Sequence, residues 1–289
     1  MPLAVKPRKD YRTVDVQPLT GSIGAEVLGV DLAKSMSNEQ FDEIHRAFLD
    51  NQVIFFRDQK LTPGQLVDFA RRFGPLDPHH VLKGMEGYPE ILEIIREETN
   101  PKIFAPGWHG DVTWQEKPVL GAMLYGLQVP EYGGDTLFSN QYLAYEALSP
   151  GMKKLLDGLK AVHGSARVYG ADAEKYTYVK NITQDRKTAV SHENVHPVVR
   201  THPETGRKAL FVNDHYTLRL QNMSEEESAP ILNFLFAHAI RPEFTCRFRW
   251  RNGSIALWDN RCSLHTPIDD YFGFRRHLWR VTIGGDRPR

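Results

Sequence analysis

Trp108-His109-Gly110-Asp111 is the stretch from which the rest of the chain is read. On an extended backbone, residues two apart project from one face, so His109 and Asp111 present an imidazole and a carboxylate side by side. One more imidazole gives two histidines and one carboxylate on one face of a metal. That set suits non-haem Fe(II) and leaves positions open for other ligands. The candidate third ligand is His265, at the end of Trp258-Asp259-Asn260-Arg261-Cys262-Ser263-Leu264-His265. In a chain with 12 histidines a His-x-Asp pair alone decides little, so the companions of an iron site are sought around it.

The 289 residues, 41% apolar and 25% charged, are enough for a sizeable core, and no linker, repeat or low-complexity tract divides them. One domain over residues 1–289 is expected, with residues 1–12 as a loose N-terminal arm. Thirty-six basic residues balance 36 acidic ones, so net charge points to neither nucleic acid nor a membrane surface. Met1 to Asp10 lacks the apolar core of a signal segment, and no apolar run approaches spanning length. Cys246 and Cys262 form neither a CxxC pair nor a disulfide framework, so a reducing cytoplasm is the expected location.

Val14 to Val30 reads as short strands punctuated by Gly21, Gly24 and Gly29. A helix opens at the cap Ser37, with Gln40 placed to close a capping box and Phe41, Ile44, Ala47 and Phe48 as its apolar stripe. Val53 to Phe56 is a buried strand. A second helix runs from Thr62-Pro63 to Gly74 with Leu66, Phe69, Ala70 and Phe73 inward. Ile91 to Ile95 is a strand, and the turn-rich stretch from Arg96 to Gly107 is a loop placed to act as a lid over the metal ligands. Val119 to Leu127, Leu137-Phe138, Phe244 to Trp250, Ser254 to Trp258 and His277 to Ile283 read as strands, with a hairpin between Val195–Thr201 and Ala209–Asn213. Helices open at Ser149 and Ser224, and residues 164–194 read as a lid insertion. The expected fold is mainly β with flanking helices, a sandwich or jelly roll, rather than an alternating βαβ sheet.

On the last strand, Arg276, Leu278, Arg280 and Thr282 share one face, and His277, Trp279, Val281 and Ile283 share the other. The pattern allows two orientations. Either the arginines face water and the other face is core, or the arginines look inward. Buried guanidiniums would need anionic partners, which a planar fork binds through two hydrogen bonds.

The His-x-Asp, the Gly133-Gly134-Asp135-Thr136 turn, the Trp258-to-Arg261 run and the Arg276/Arg280 pair together resemble the taurine and dichlorophenoxyacetate dioxygenases. Residues 196–203, 209–213 and 241–245 fit as well, so the resemblance runs from about Val16 to Pro288. It implies a double-stranded β-helix (jelly-roll) core and Fe(II)- and 2-oxoglutarate-dependent oxygenation with O2. It further implies that His109, Asp111 and His265 bind Fe(II), and that Arg276, helped by Thr136, binds the far carboxylate of 2-oxoglutarate. Arg280 would meet the anionic group of a small organic substrate, beside His79. A homo-oligomer, dimer or tetramer, is expected.

Three positions depart from the family pattern. Gly110 stands where a threonine is usual, and Leu82 and Ala105 replace a tyrosine and an asparagine of the taurine enzymes. Loss of those polar groups points to a less polar substrate, with Val81, Leu82, Ala105, Val168 and Tyr169 shaping its pocket. Val81–Glu90 and Val162–Gly170 resemble the aryloxyalkanoate branch, which implies an aryloxyalkanoate carboxylate that fragments to a carbonyl product and a phenol. The alternatives are a taurine, alkylsulfonate or alkyl sulfate dioxygenase releasing sulfite or sulfate, and a non-catalytic organic-anion binder of the same fold.

Overall fold

Strand alternation and helix capping organise the protein in a computed structural model, which describes residues 10–78, 82–169 and 191–289. Fifteen strands are present among them. In the first half of the chain these are Asp15–Pro18 (β1), Ala25–Leu28 (β2), Val53–Phe56 (β3), Ile91–Arg96 (β4), Gly121–Gln128 (β5), Thr136–Asn140 (β6) and Lys160–Gly164 (β7). The second half holds Glu193–Pro197 (β8), Val199–Thr201 (β9), Lys208–Leu210 (β10), Thr217–Leu220 (β11), Thr245–Phe248 (β12), Ile255–Asp259 (β13), Ser263–Pro267 (β14) and Arg276–Ile283 (β15). The helices are Asn38–Asn51 (α1), Pro63–Arg71 (α2), Gln141–Glu146 (α3), Pro150–Leu156 (α4), Ala166–Tyr169 (α5) and Glu225–Ala239 (α6).

A seven-stranded sheet in the order β1-β2-β3-β13-β5-β15-β4 faces a three-stranded sheet, β12-β6-β14. Among these pairings only β2 with β3 is parallel. The fold is a jelly roll. Period-two alternation assigns each side chain of β3: Ile54 and Phe56 pack toward α1 and α2, while Val53 and Phe55 point between the sheets. The inter-sheet core centres on Phe55, which stacks on Phe248 at 4.0 Å between ring centroids. Phe138, Trp258 and Leu278 complete it. Helices α3, α4 and α6 cover a third apolar cluster with β7 and β9–β11.

The capping residues perform as their chemistry requires. Ser37 accepts from the Gln40 N–H, and full capping boxes close at Thr62/Gln65 and Ser224/Glu227. The sequence expectation differs from the structure in several places. The predicted hairpin shrinks to β9–β10, because β8 pairs with β7 instead. Within the expected insertion at 164–194, Gly164 closes β7, α5 spans Ala166–Tyr169 and β8 begins at Glu193. The remainder of that stretch lies outside the described residues. The helix that opens at Ser149 ends at Leu156. Strand β14, helix α3, and strands β7 and β11 carry no apolar period that would mark them. Among the described residues no helix is long and apolar enough to cross a membrane.

The segment Arg12-Thr13 is tied to α1 through Glu43. Its carboxylate accepts from the backbone N–H groups of Arg12 and Thr13 at 2.7–2.9 Å and from the Thr13 hydroxyl at 2.7 Å. Desolvation raises its pKa, but these donors outweigh it and bring the group down to about 2. A depressed carboxylate pKa contributes stability that is complete above the unfolded value and fades as pH falls through the folded one. Glu43→Gln should therefore lower stability by about 1–2 kcal/mol at pH 7. In urea denaturation, the gap to the wild type should close between about pH 4.5 and pH 2. A gap independent of pH would contradict this account.

Candidate metal centre and cavity

His109, Asp111 and His265 converge. Their ligand atoms lie within 4.8 Å of one another, and all three side chains are buried. The Asp111 Oδ1 stands 3.8 Å from the Nε2 of His109 and 3.9 Å from the Nε2 of His265. The convergence is built from backbone. The N–H of His109 donates to the carbonyl of His265 at 3.0 Å, and that of His265 returns the bond at 2.9 Å. This antiparallel bridge docks the segment after the 97–107 loop onto β14, which is itself held in register on β6 with His265 opposite Phe138.

The donor set fits a divalent cation. The Nδ1 of His109 lies 2.8 Å from the carbonyl of Gly107, so this nitrogen carries the proton and Nε2 keeps its lone pair. Burial and the neighbouring His265 depress His109 to about 3, and burial depresses His265 to about 4, so both rings are neutral. Burial alone would raise the Asp111 pKa, but the Arg280 guanidinium beside it holds it well below the usual carboxylate range. Arg280 Nη2 stands 2.8 Å from Asp111 Oδ2, an ion contact rather than an aligned hydrogen bond. The site therefore offers two neutral imidazoles and one carboxylate, a donor set for Fe(II).

A cavity of about 170 Å³ opens beside these residues, lined by His109, His265, Thr136, Arg276, Arg280 and Trp258. The arginine face of β15 looks inward, so the inward orientation allowed by the sequence is the one adopted. Arg276 and Arg280 are each 7% exposed, and Leu278 between them is 1% exposed. Arg276 donates to the Gly134 carbonyl at 3.2 Å, its Nε has no partner, and it lies over the Trp250 and Tyr271 rings. The indole N–H of Trp250 donates to the Thr136 hydroxyl at 3.0 Å, leaving the Thr136 O–H free to turn toward the cavity. A spare buried guanidinium donor beside a free hydroxyl suits a carboxylate.

Leu82, Ile103, Phe104 and Ala105 form the cavity's apolar side, with Ala105 at φ 49°. The loop that carries Ile103, Phe104 and Ala105 is rooted by Arg96, whose guanidinium donates to the Asn100 carbonyl at 3.0 Å and to Asp269 at 2.8 Å. Val168 does not line this cavity. It packs with Val112, Trp114, Val119 and Tyr216, and Tyr169 rests against that cluster. His79 and Val81 lie outside the described residues. Trp250, Tyr271 and Arg96 escaped the sequence reading, because each acts through a partner distant in the chain. The spacing of Arg96 opposite Arg276 on the neighbouring strand is the one signal that pairing of strands would have exposed.

Known proteins bear on this geometry. A sequence profile described as "Taurine catabolism dioxygenase TauD, TfdA family" matches residues 15–282. An alkylsulfatase of Acinetobacter baylyi is 34% identical over 94% of this chain and 86% of its own length. A sulfate ester dioxygenase of Pseudomonas putida, dependent on alpha-ketoglutarate, is also 34% identical, over 95% and 91%. The 2,4-dichlorophenoxyacetate dioxygenase of Cupriavidus pinatubonensis is 31% identical over 95% and 99%. Among solved structures, a taurine dioxygenase from Burkholderia xenovorans superimposes with a TM-score of 0.80 at 36% identity, covering 96% and 93% of the two chains.

Titrating Co(II) into the apoprotein checks the ligand set directly. One equivalent should bind to the wild type. His109→Ala should weaken binding by more than about 100-fold with the circular dichroism spectrum unchanged, since a three-ligand site loses a direct donor. Undiminished binding by the variant would remove His109 from the set.

Proposed function

The chain belongs to the TauD/TfdA family of Fe(II)- and 2-oxoglutarate-dependent dioxygenases, and on that premise we propose that it hydroxylates a small organic anion with an apolar body, at the carbon next to a heteroatom. In this reading His109, Asp111 and His265 hold the iron. The iron, with 2-oxoglutarate and O2, supplies oxidative decarboxylation coupled to oxygenation of a C–H bond. Arg276 takes the far carboxylate of 2-oxoglutarate with its unpartnered Nε, and Thr136, oriented by Trp250, adds a hydroxyl donor. Arg280 takes the anionic head of the substrate and so fixes which carbon faces the metal. Leu82, Ile103 and Phe104 shield the reacting carbon from water. Residues 1–289 act as one catalytic domain in this reading. Its two cysteines, both buried and free, accord with a cytoplasmic setting, and a homo-oligomer remains part of the proposal.

The observation that carries the substrate class is the pairing of an inward Arg280 with the apolar wall at Leu82 and Ile103–Ala105. Burying taurine's ammonium against that wall would cost several kcal/mol, whereas each methylene of an apolar body would gain about 0.8 kcal/mol. Aryloxyalkanoates meet this requirement and, after hydroxylation beside the ether oxygen, break down to a carbonyl compound and a phenol. The sulfate-ester relatives favour a second member of the class, alkyl sulfates, which would release sulfate by the same logic.

Succinate release measured across aryloxy acids, alkyl sulfates, alkyl sulfonates and taurine tests this reading. An aryloxy acid or alkyl sulfate should exceed taurine by at least about tenfold in kcat/KM. Taurine as the fastest substrate would overturn it. Arg276→Lys keeps the charge but loses the planar fork, so the KM for 2-oxoglutarate should rise about 10-fold or more while that for the prime substrate changes little. Equal rises in both would assign Arg276 a general structural part.

A further inference from the structure

Asp111 sits in an unusual stretch of backbone. Gly110 precedes it, and Val112 follows at φ 41°, a left-handed conformation that a β-branched residue rarely adopts. Such a conformation persists only where its surroundings hold it. The hydrogen bonds between His109 and His265 do not extend to Asp111. What grips Asp111 is one side chain from the turn between β13 and β14. Asn260 Oδ1 accepts from the Asp111 N–H at 2.6 Å, and its Nδ2 donates to the Asp111 carbonyl at 3.0 Å and to the Val119 carbonyl at 3.3 Å. Asn260 is 2% exposed, and its backbone N–H is bonded to the Leu120 carbonyl at 2.9 Å. The amide thus spends its oxygen and one donated bond on the backbone of Asp111 and its other donated bond on the Val119 carbonyl.

We propose that Asn260 is a positioning residue for the metal: its amide replaces the missing strand partner of Asp111 and holds that carboxylate beside the two imidazoles. The proposal rests on the reading of His109, Asp111 and His265 as metal ligands. The neighbouring residues of the turn face elsewhere. Asp259 receives two hydrogen bonds from the Arg261 guanidinium, at 2.8 and 2.7 Å, and faces His202 at 3.0 Å, while the Ser263 hydroxyl donates to the Asp259 carbonyl at 2.6 Å. Adjacent residues of one turn therefore divide the work: Asp259 fixes the turn to the protein, and Asn260 fixes Asp111 to the turn.

The test compares Asn260→Asp with Ser263→Ala. The first keeps the shape and the acceptor but, when ionised, gives nothing to the two carbonyls. The second removes a buried hydrogen bond from the same turn without touching Asp111. Both should lower the unfolding midpoint of the apoprotein. Only Asn260→Asp should weaken Co(II) binding to the apoprotein, by about 10- to 100-fold, as loss of a residue that orients a ligand does. Ser263→Ala should bind Co(II) within about twofold of the wild type. Equal weakening in both variants, or wild-type affinity in Asn260→Asp, would overturn the proposal. Should the carboxylate variant fail to fold, Asn260→Ser takes its place under the same criterion. Failure of the wild type to bind Co(II) would remove the metal reading and this inference with it, and is distinguishable from either of those results.

Discussion

Two reciprocal backbone hydrogen bonds between His109 and His265 are the joint on which the site depends. They connect segments far apart in the chain and put both imidazoles on the same side. Around the joint the backbone is held in costly shapes. Ala105 and Val112 have positive φ, and Gly107, at φ 90°, packs so close to His215 that a Cβ there would sit 2.9 Å from the ring. Strain of this kind, on the order of 1–3 kcal/mol per residue, survives because the jelly roll supplies rigid strands on both sides. β14 is locked onto β6, and β13 is locked between β3 and β5.

Charge is the second organising constraint. The cavity wall carries three buried guanidiniums: Arg96 is answered by Asp269, Arg280 by Asp111, and Arg276 by the Gly134 carbonyl and the faces of Trp250 and Tyr271. A buried cation without a full partner is expensive, so the cavity is primed for anions before any arrive. Under the proposed function, with 2-oxoglutarate and an anionic substrate gathered around one cation, this places the recognition energy where the reacting groups meet. The apolar side, from Leu82 to the Ile103–Ala105 stretch, then decides what else the anion can carry.

Much of this was legible in the chain. His109 and Asp111 were readable as a pair of ligand types two apart, although only His109 lies in a β-bridge and Asp111 sits in the turn that follows, and Arg276 and Arg280 were readable because a spacing of four on a strand gives one face. The helices at Ser37, Thr62 and Ser224 announce themselves through capping chemistry that is entirely local. What the sequence withheld was everything set by distant partners. Whether the arginines look in or out depends on the sheet laid opposite β15. Strand β14 exists because β6 and His109 pair with it, and its own residues, Ser263 to Pro267, carry no alternating pattern. The Trp250 bond to Thr136 and the Asn260 grip on Asp111 join residues 114 and 149 apart, beyond the reach of any periodicity.

The central claim is that one buried site holds a metal in direct reach of 2-oxoglutarate. Anaerobic addition of Fe(II) and then 2-oxoglutarate to the apoprotein tests it most directly, followed by visible absorption. The account predicts a metal-to-ligand charge-transfer band that saturates at one equivalent of each and is absent from His265→Ala. A colourless mixture with the wild type, or a band of equal strength with the variant, would contradict it.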